Sequence, residues 1–141
     1  MAEREFAGKV ALVTGTTGIG RASAIRLAQG GAEVLAGGID IAANQELAAM
    51  AVARGLSITA LALDVADDTS VEAAVAEAVD LFGGLDIIVN AAAVHPYGTV
   101  LDTDWDDFTR CMAVNVGGIV LTGRFGIPEM ARRGGGAIVN L

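Results

Sequence analysis

Short apolar runs alternate with helical patterns along almost the whole chain, and that alternation limits the fold more than any other feature. Lys9 to Val13 (KVALV), Glu33 to Ala36 (EVLA), Ser57 to Leu63 (SITALAL), Leu85 to Asn90 (LDIIVN) and Ala137 to Leu141 (AIVNL) read as five strands. Between them, Gly18 to Gln29 places Gly20, Ala24, Leu27 and Ala28 on one helical face. Ile41 to Arg54 is an Ala-rich helix closed by Gly55. Thr69-Ser70-Val71-Glu72 matches a capping box and opens a helix with Val71, Val75, Ala78 and Phe82 inward, ended by Gly83-Gly84. A long helical region follows, with a stripe of Trp105, Phe108, Met112, Val116 and Ile119, and Gly134 to Gly136 break it. Strand and helix in strict alternation require right-handed crossovers, hence an α/β fold with a parallel sheet covered by helices on both faces. No repeat, linker or low-complexity tract interrupts the 141 residues, so residues 1–141 are expected to form a single domain.

Composition agrees. Hydrophobic residues make up 53% of the chain and mean hydropathy is +0.55, yet aromatics are only 4%. Strands buried on both faces have that Ala, Val, Ile and Leu richness. The longest uncharged stretches, Ile87 to Leu101 and Cys111 to Gly123, fall short of the ~18 to 20 apolar residues of a membrane span. The N-terminal MAEREFAGK has no apolar core of a secretion signal, and the single cysteine, Cys111, can form no internal disulfide. A cytoplasmic location is the expectation. A net charge of −8 argues against a nucleic-acid partner.

The chemistry concentrates at VTGTTGIGRA, Val13 to Ala22, where the first strand turns into the first helix. Gly15, Gly18 and Gly20 leave backbone N–H groups bare at a helix N-terminus, which favours a pyrophosphate. A tight turn that only packs helix on sheet is the competing account. Three further features sit in order: Asp64-Val65 after the third strand, Asn90-Ala91-Ala92-Ala93 after the fourth, and Asn115-Val116-Gly117-Gly118 within the long helical region.

Together with Thr14 to Gly20 and GGGAIVN, these motifs resemble the short-chain dehydrogenase/reductase family from about Lys9 to Leu141. The resemblance implies a Rossmann-like doubly wound sheet of five strands in the order 3-2-1-4-5, with the C-terminal part of the fold absent. It implies a nicotinamide dinucleotide across the C-terminal strand edges, held by Gly15, Thr16, Thr17, Gly18, Ile19 and Gly20 at the pyrophosphate. Asp64 and Val65 would meet the adenine, and Asn90, Ala91 and Ala92 the region of the cofactor ribose. Asn115 would be the active-site asparagine that holds a water in a proton relay. Plainer accounts remain open: a turn or capping aspartate for Asp64, a strand-ending turn for Asn90, and a tolerated polar helix residue for Asn115. The sequence also departs from the pattern. Two residues, not three, separate Gly15 from Gly18, so the loop must turn more tightly. Ala93 puts a methyl group where the family leaves backbone room.

Cofactor choice is read after the second strand. Gly38 occupies the usual acidic position, Asp40 follows two residues later, and no Lys or Arg is near, so charge favours NAD over NADP. In the family a serine and a Tyr-x-x-x-Lys motif follow the fifth strand. Here Tyr97 is the only tyrosine, with Leu101 at the lysine position, and His95 lies in the loop after the fourth strand. The chain is therefore expected to be the cofactor-binding portion of a longer oxidoreductase acting on a small-molecule alcohol or carbonyl, inactive alone, with an apolar edge at Ala137 to Leu141. A non-catalytic dinucleotide-binding or regulatory module is the main alternative. A nucleotide-sugar epimerase or a methyltransferase fits the Asn115 motif and the last strand less well. The resemblance further implies a homo-oligomer, dimer or tetramer, paired through the long helix. The aspartates at that helix's start, Asp102, Asp104, Asp106 and Asp107, also suit the N-terminal dipole.

Overall fold

In the computed structural model, which describes residues 4–141, β1 (Val10–Thr14) is buried along its whole length. It lies at the centre of a parallel sheet whose other strands are β2 (Glu33–Gly38), β3 (Ile58–Ala62), β4 (Ile87–Asn90) and β5 (Ala137–Asn140). The order is β3-β2-β1-β4-β5. Register runs Leu12 to Leu35 and Leu12 to Ile88 across the centre, then Ile88 to Ile138 toward the edge.

Because strand side chains alternate, β1 feeds two cores at once. Ala11 and Val13 join Val34 and Ala36 beneath α1 (Gly18–Gln29) and α2 (Ile41–Arg54), packing on Ala24, Leu27, Leu47 and Ala51. Val10 and Leu12 join Leu35 and Ile88 on the opposite face, beneath α3 (Asp68–Phe82) and α5 (Gly118–Arg132), against Val75, Ala78 and Met130. Leu12, Leu35 and Leu47 are fully buried, each worth about 2 kcal/mol of transfer free energy.

Local chemistry sets the helix ends. The carboxylates of Asp40, Asp67 and Asp104 accept from the amides of Ala43, Thr69 and Asp106 and so cap α2, α3 and α4 (Trp105–Met112). Gly55 and Gly83 close α2 and α3 at positive φ. The capping box read at Thr69 is corrected: α3 starts at Asp68 with Asp67 as its cap, and Thr69 is already inside the helix. An aspartate two residues upstream offers the free amides a charged acceptor, so it outcompetes the threonine hydroxyl.

α4 runs through a π-helical turn (Ala113–Gly117) into α5, making one helical stretch of 28 residues, Trp105–Arg132. Counted whole, it is long and apolar enough to cross a membrane, although no uncharged run within it is. It docks on the protein through Gly118, Thr122, Gly126 and Met130. The stripe of Trp105, Phe108, Met112 and Val116 lies on the opposite, exposed side, and Ile119 is half-buried. β5 forms one sheet edge, with Ile138, Val139 and Leu141 exposed.

At the N-terminal end of the sheet, Asp86 ties three strands together. Its buried carboxylate accepts from the Val10 amide at 2.9 Å and from Arg133 Nη2 at 2.8 Å, with Lys9 Nζ at 3.9 Å. Its own amide donates to the Val10 carbonyl, and its carbonyl accepts from Ala137.

Candidate functional site

β1 is flanked on one side by β2, which follows it through α1, and on the other by β4, which the chain reaches from β3 through α3, so a crevice opens above the strand ends where the strand order reverses. The cleft there has a volume of about 410 Å³. Its walls are segments 15–17, 38–40, 63–66 and 91–94, with Arg110 and Val114 closing the far side. The structure thus brings together Gly15, Thr16, Thr17, Asp40, Asp64, Val65, Ala91 and Ala92, residues drawn from four separate motifs.

The glycine turn is built by close approach. Gly15, at φ +94°, donates to the Gly37 carbonyl at 2.7 Å. Gly20 lies so near that a Cβ there would stand 2.2 Å from the Gly15 carbonyl oxygen. α1 begins directly above. Unlike the aspartate-capped α2, α3 and α4, it has no side-chain cap at Thr17, and like α2 it has no acid in its first turn. Its first amide bonded back along the helix is that of Arg21, to the Thr17 carbonyl, so among the described residues the N–H groups of Gly18, Ile19 and Gly20 have no backbone acceptor. This positive dipole end and its unused donors directly follow Thr17, which lines the crevice.

Around this turn each wall has its own fastening. Thr14, buried at the end of β1, accepts through its hydroxyl from the amides of Ala91 (3.1 Å) and Ala92 (3.2 Å), which fixes the loop after β4. Asp64 accepts through Oδ1 from the Ala66 amide at 2.9 Å and donates its own amide to Ser70 Oγ. That is a turn aspartate, but one whose second carboxylate oxygen has no partner among the described residues. Asp40 spends Oδ1 on the α2 cap. Val65 rests on Gly118, where a Cβ would come within 2.8 Å of its Cγ2.

Four expected cofactor-binding residues, Gly18, Ile19, Gly20 and Asn90, do not line the cleft. The Asn90 side chain faces α5 and β5, not the cleft: it accepts from Thr122 Oγ1 and donates to Asn140 Oδ1, both at 2.8 Å. Strand alternation turns it that way, and the cleft wall falls to Ala91 and Ala92. Ile19 is 65% exposed and borders a separate apolar groove with Val89 and Val139. Gly20 is buried against the Gly15 backbone, and Gly18 is exposed at the first position of α1.

Asn115 sits in the π-helical turn, whose wider ring brings its side chain over the loop after β4. Oδ1 accepts from the Val94 amide and Nδ2 donates to the Val94 carbonyl, each at 2.9 Å. Both ends of the amide are therefore engaged with the Val94 backbone. Asn115→Ala is expected to cost about 1–2 kcal/mol and to speed hydrogen exchange at the Val94 amide, measurable by exchange mass spectrometry. His95 and Tyr97 pack edge to face at 5.3 Å on the loop surface, and Tyr97 is 95% exposed. The sequence reading missed Thr14 and Val94 as fasteners. A polar residue closing an otherwise apolar first strand was the available signal for Thr14, and there was none for Val94.

The residues fit a dinucleotide: amides with no backbone acceptor for a diphosphate, a turn too tight at Gly20 to admit a Cβ, and the carboxylates of Asp40 and Asp64 in the cleft lining. Comparison with known proteins points the same way. The chain is 39% identical over 137 residues to an uncharacterized oxidoreductase of Thermotoga maritima, covering 96% of this chain and 54% of that one. It is 40% identical over 136 residues to human dehydrogenase/reductase SDR family member 4, covering 95% and 49%. It thus spans about half the length of these curated relatives. A crystal structure of a putative short-chain dehydrogenase/reductase from Burkholderia xenovorans superposes with a TM-score of 0.90 at 37% identity, over 99% of this chain and 57% of the other. The sequence model of the short chain dehydrogenases matches residues 9–141. From Lys9 to its last residue, the chain belongs to the short chain dehydrogenase family.

Proposed function

We propose that residues 9–141 form the dinucleotide-binding part of an oxidoreductase site, with NAD preferred to NADP. The uncapped N-terminus of α1 above the glycine turn carries this reading, because its amides of Gly18, Ile19 and Gly20 can hold a diphosphate that the sheet edge presents to them. Asp64 would accept from the adenine amino group through its unpartnered oxygen. Ala91 and Ala92, pinned by Thr14, give a smooth wall along which the cofactor can lie. Bound there, the nicotinamide supplies or removes the hydride exchanged with an alcohol or carbonyl carbon. The preference for NAD rests on charge. Asp40 stands at the rim beside Gly38, and Arg110 of α4, the one basic residue lining the cleft among the described residues, comes from the far side. An added phosphate near Asp40 would meet repulsion with no adjacent cation.

One observation favours a second reading, binding without proton transfer by this chain's own groups. A catalytic tyrosine needs a nearby cation to lower its pKa. The single lysine, Lys9, sits beside Asp86 at the other end of the sheet, and Tyr97 projects into solvent. Residues 1–141 by themselves are therefore expected to bind NADH and to show no alcohol oxidation.

Calorimetric titration tests the reading. NADH should bind about tenfold more tightly than NADPH, and Asp64→Ala should weaken NADH by about tenfold, the worth of one charged hydrogen bond. Absence of binding by either cofactor would overturn it.

A further inference from the structure

β2 ends in Gly37-Gly38, at the place where dinucleotide folds read the adenosine ribose. Neither glycine has a positive φ, so backbone conformation does not demand them. Space does at Gly38: a Cβ there would stand 2.8 Å from Thr16 Oγ1 and 3.4 Å from the Thr16 amide nitrogen. Thr16 is 2% exposed, and its β-branch means that one of its two other staggered positions would merely replace the hydroxyl with a methyl. The packing below is equally close. Asn44 Nδ2 donates to the carbonyls of Gly38 (2.9 Å) and Leu61 (3.0 Å), while its buried Oδ1 has no partner among the described residues and lies 3.6 Å from the same Cβ position.

We infer that Thr16, and no residue of β2, is the specificity-determining side chain at the ribose end of the cleft. With only two residues between Gly15 and Gly18, the loop runs tightly across the end of β2 and lowers Thr16 into the volume that a carboxylate at position 38 would fill. Because Thr16 keeps a carboxylate off position 38, the ribose hydroxyls are left to Asp40 at the rim and to exposed backbone. This rests on the dinucleotide reading above, but its steric half can be measured without any cofactor.

The experiment is a double-substitution cycle, Gly38→Asp, Thr16→Ala and both together, read by thermal melting and by NADH and NADPH titration. Gly38→Asp alone should melt several degrees below the parent and lose about tenfold in NADH affinity. Adding Thr16→Ala should recover both, and the double variant should discriminate against NADPH about tenfold more strongly than the parent. Gly38→Ala, which adds only the Cβ, should show the same melting loss and the same rescue. If Gly38→Asp or Gly38→Ala melts like the parent, or if Thr16→Ala rescues neither, the inference is wrong. Rescue of melting without rescue of NADH binding would also overturn the ribose assignment. Should the parent bind neither cofactor, the dinucleotide reading falls, and the melting cycle still decides whether Thr16 holds position 38 empty.

Discussion

Gly20→Ala should abolish NADH binding and lower the melting midpoint by about 10 °C. The added methyl carbon would lie 2.2 Å from the Gly15 carbonyl oxygen, 2.8 Å from its carbon and 3.2 Å from the Thr14 oxygen. All three are backbone atoms, so no rotamer change relieves the clash, and the glycine turn must move away from α1. That separation breaks the alignment between the turn and the unused amides of the first helical turn. Gly18→Ala provides the contrast. Its Cβ would meet nothing within 4 Å, and only the positive φ of +49° penalises it, by about 1 kcal/mol. Melting curves and NADH titrations of the two variants separate steric closure from backbone strain. Equal, small effects would refute the close-approach account of the turn.

Asp86→Ala should destabilise the protein by about 3 kcal/mol, the cost of removing one partner from a buried pair. The substitution leaves the buried Val10 amide without its acceptor and Arg133 without its counter-charge, at a point where β1, β4 and β5 are joined. The same group sets an acid limit. Burial pushes the Asp86 carboxyl up, but hydrogen bonds from Arg133 and the Val10 amide, with the charges of Arg133 and Lys9, outweigh it and hold it below the ordinary value of 3.8. A carboxyl lowered in the folded state contributes stability that is complete above its unfolded value and is lost as pH falls through the folded one. Chemical denaturation between pH 6 and 3 should therefore show parent stability dropping below about pH 4. Asp86→Asn should be less stable at pH 6 and flatter over the same acid range.

How much of this could be read in advance follows from what each feature depends on. Strand alternation, the glycine turn and the order of the sheet are local or topological, and the sequence carries them: α1 and α2 run over the expected residues, and all five strands form with ends shifted by a residue or two. Side-chain facing at strand ends is not local. Asn90 looks like a cofactor contact in sequence, but its direction depends on Thr122 and Asn140, which are 32 and 50 residues away. Asn115 is recognisable as special, yet only the π-helical turn reveals that both ends of its amide are taken by Val94. Thr16 reads as one of two loop threonines, and its closeness to Gly38 appears only when the loop after β1 and the end of β2 are seen side by side. The cap of α3 was misplaced because four acceptors, Asp64, Asp67, Asp68 and Thr69, compete within six residues.

The central claim is that bare amides at the start of α1 grip a diphosphate. A crystal structure of the protein soaked with NADH tests it most directly. The diphosphate is expected within hydrogen-bond distance of the amides of Gly18, Ile19 or Gly20, with the adenine beside Asp64. Density for NADH elsewhere, or a saturating soak that leaves this crevice filled only by solvent, would contradict the account.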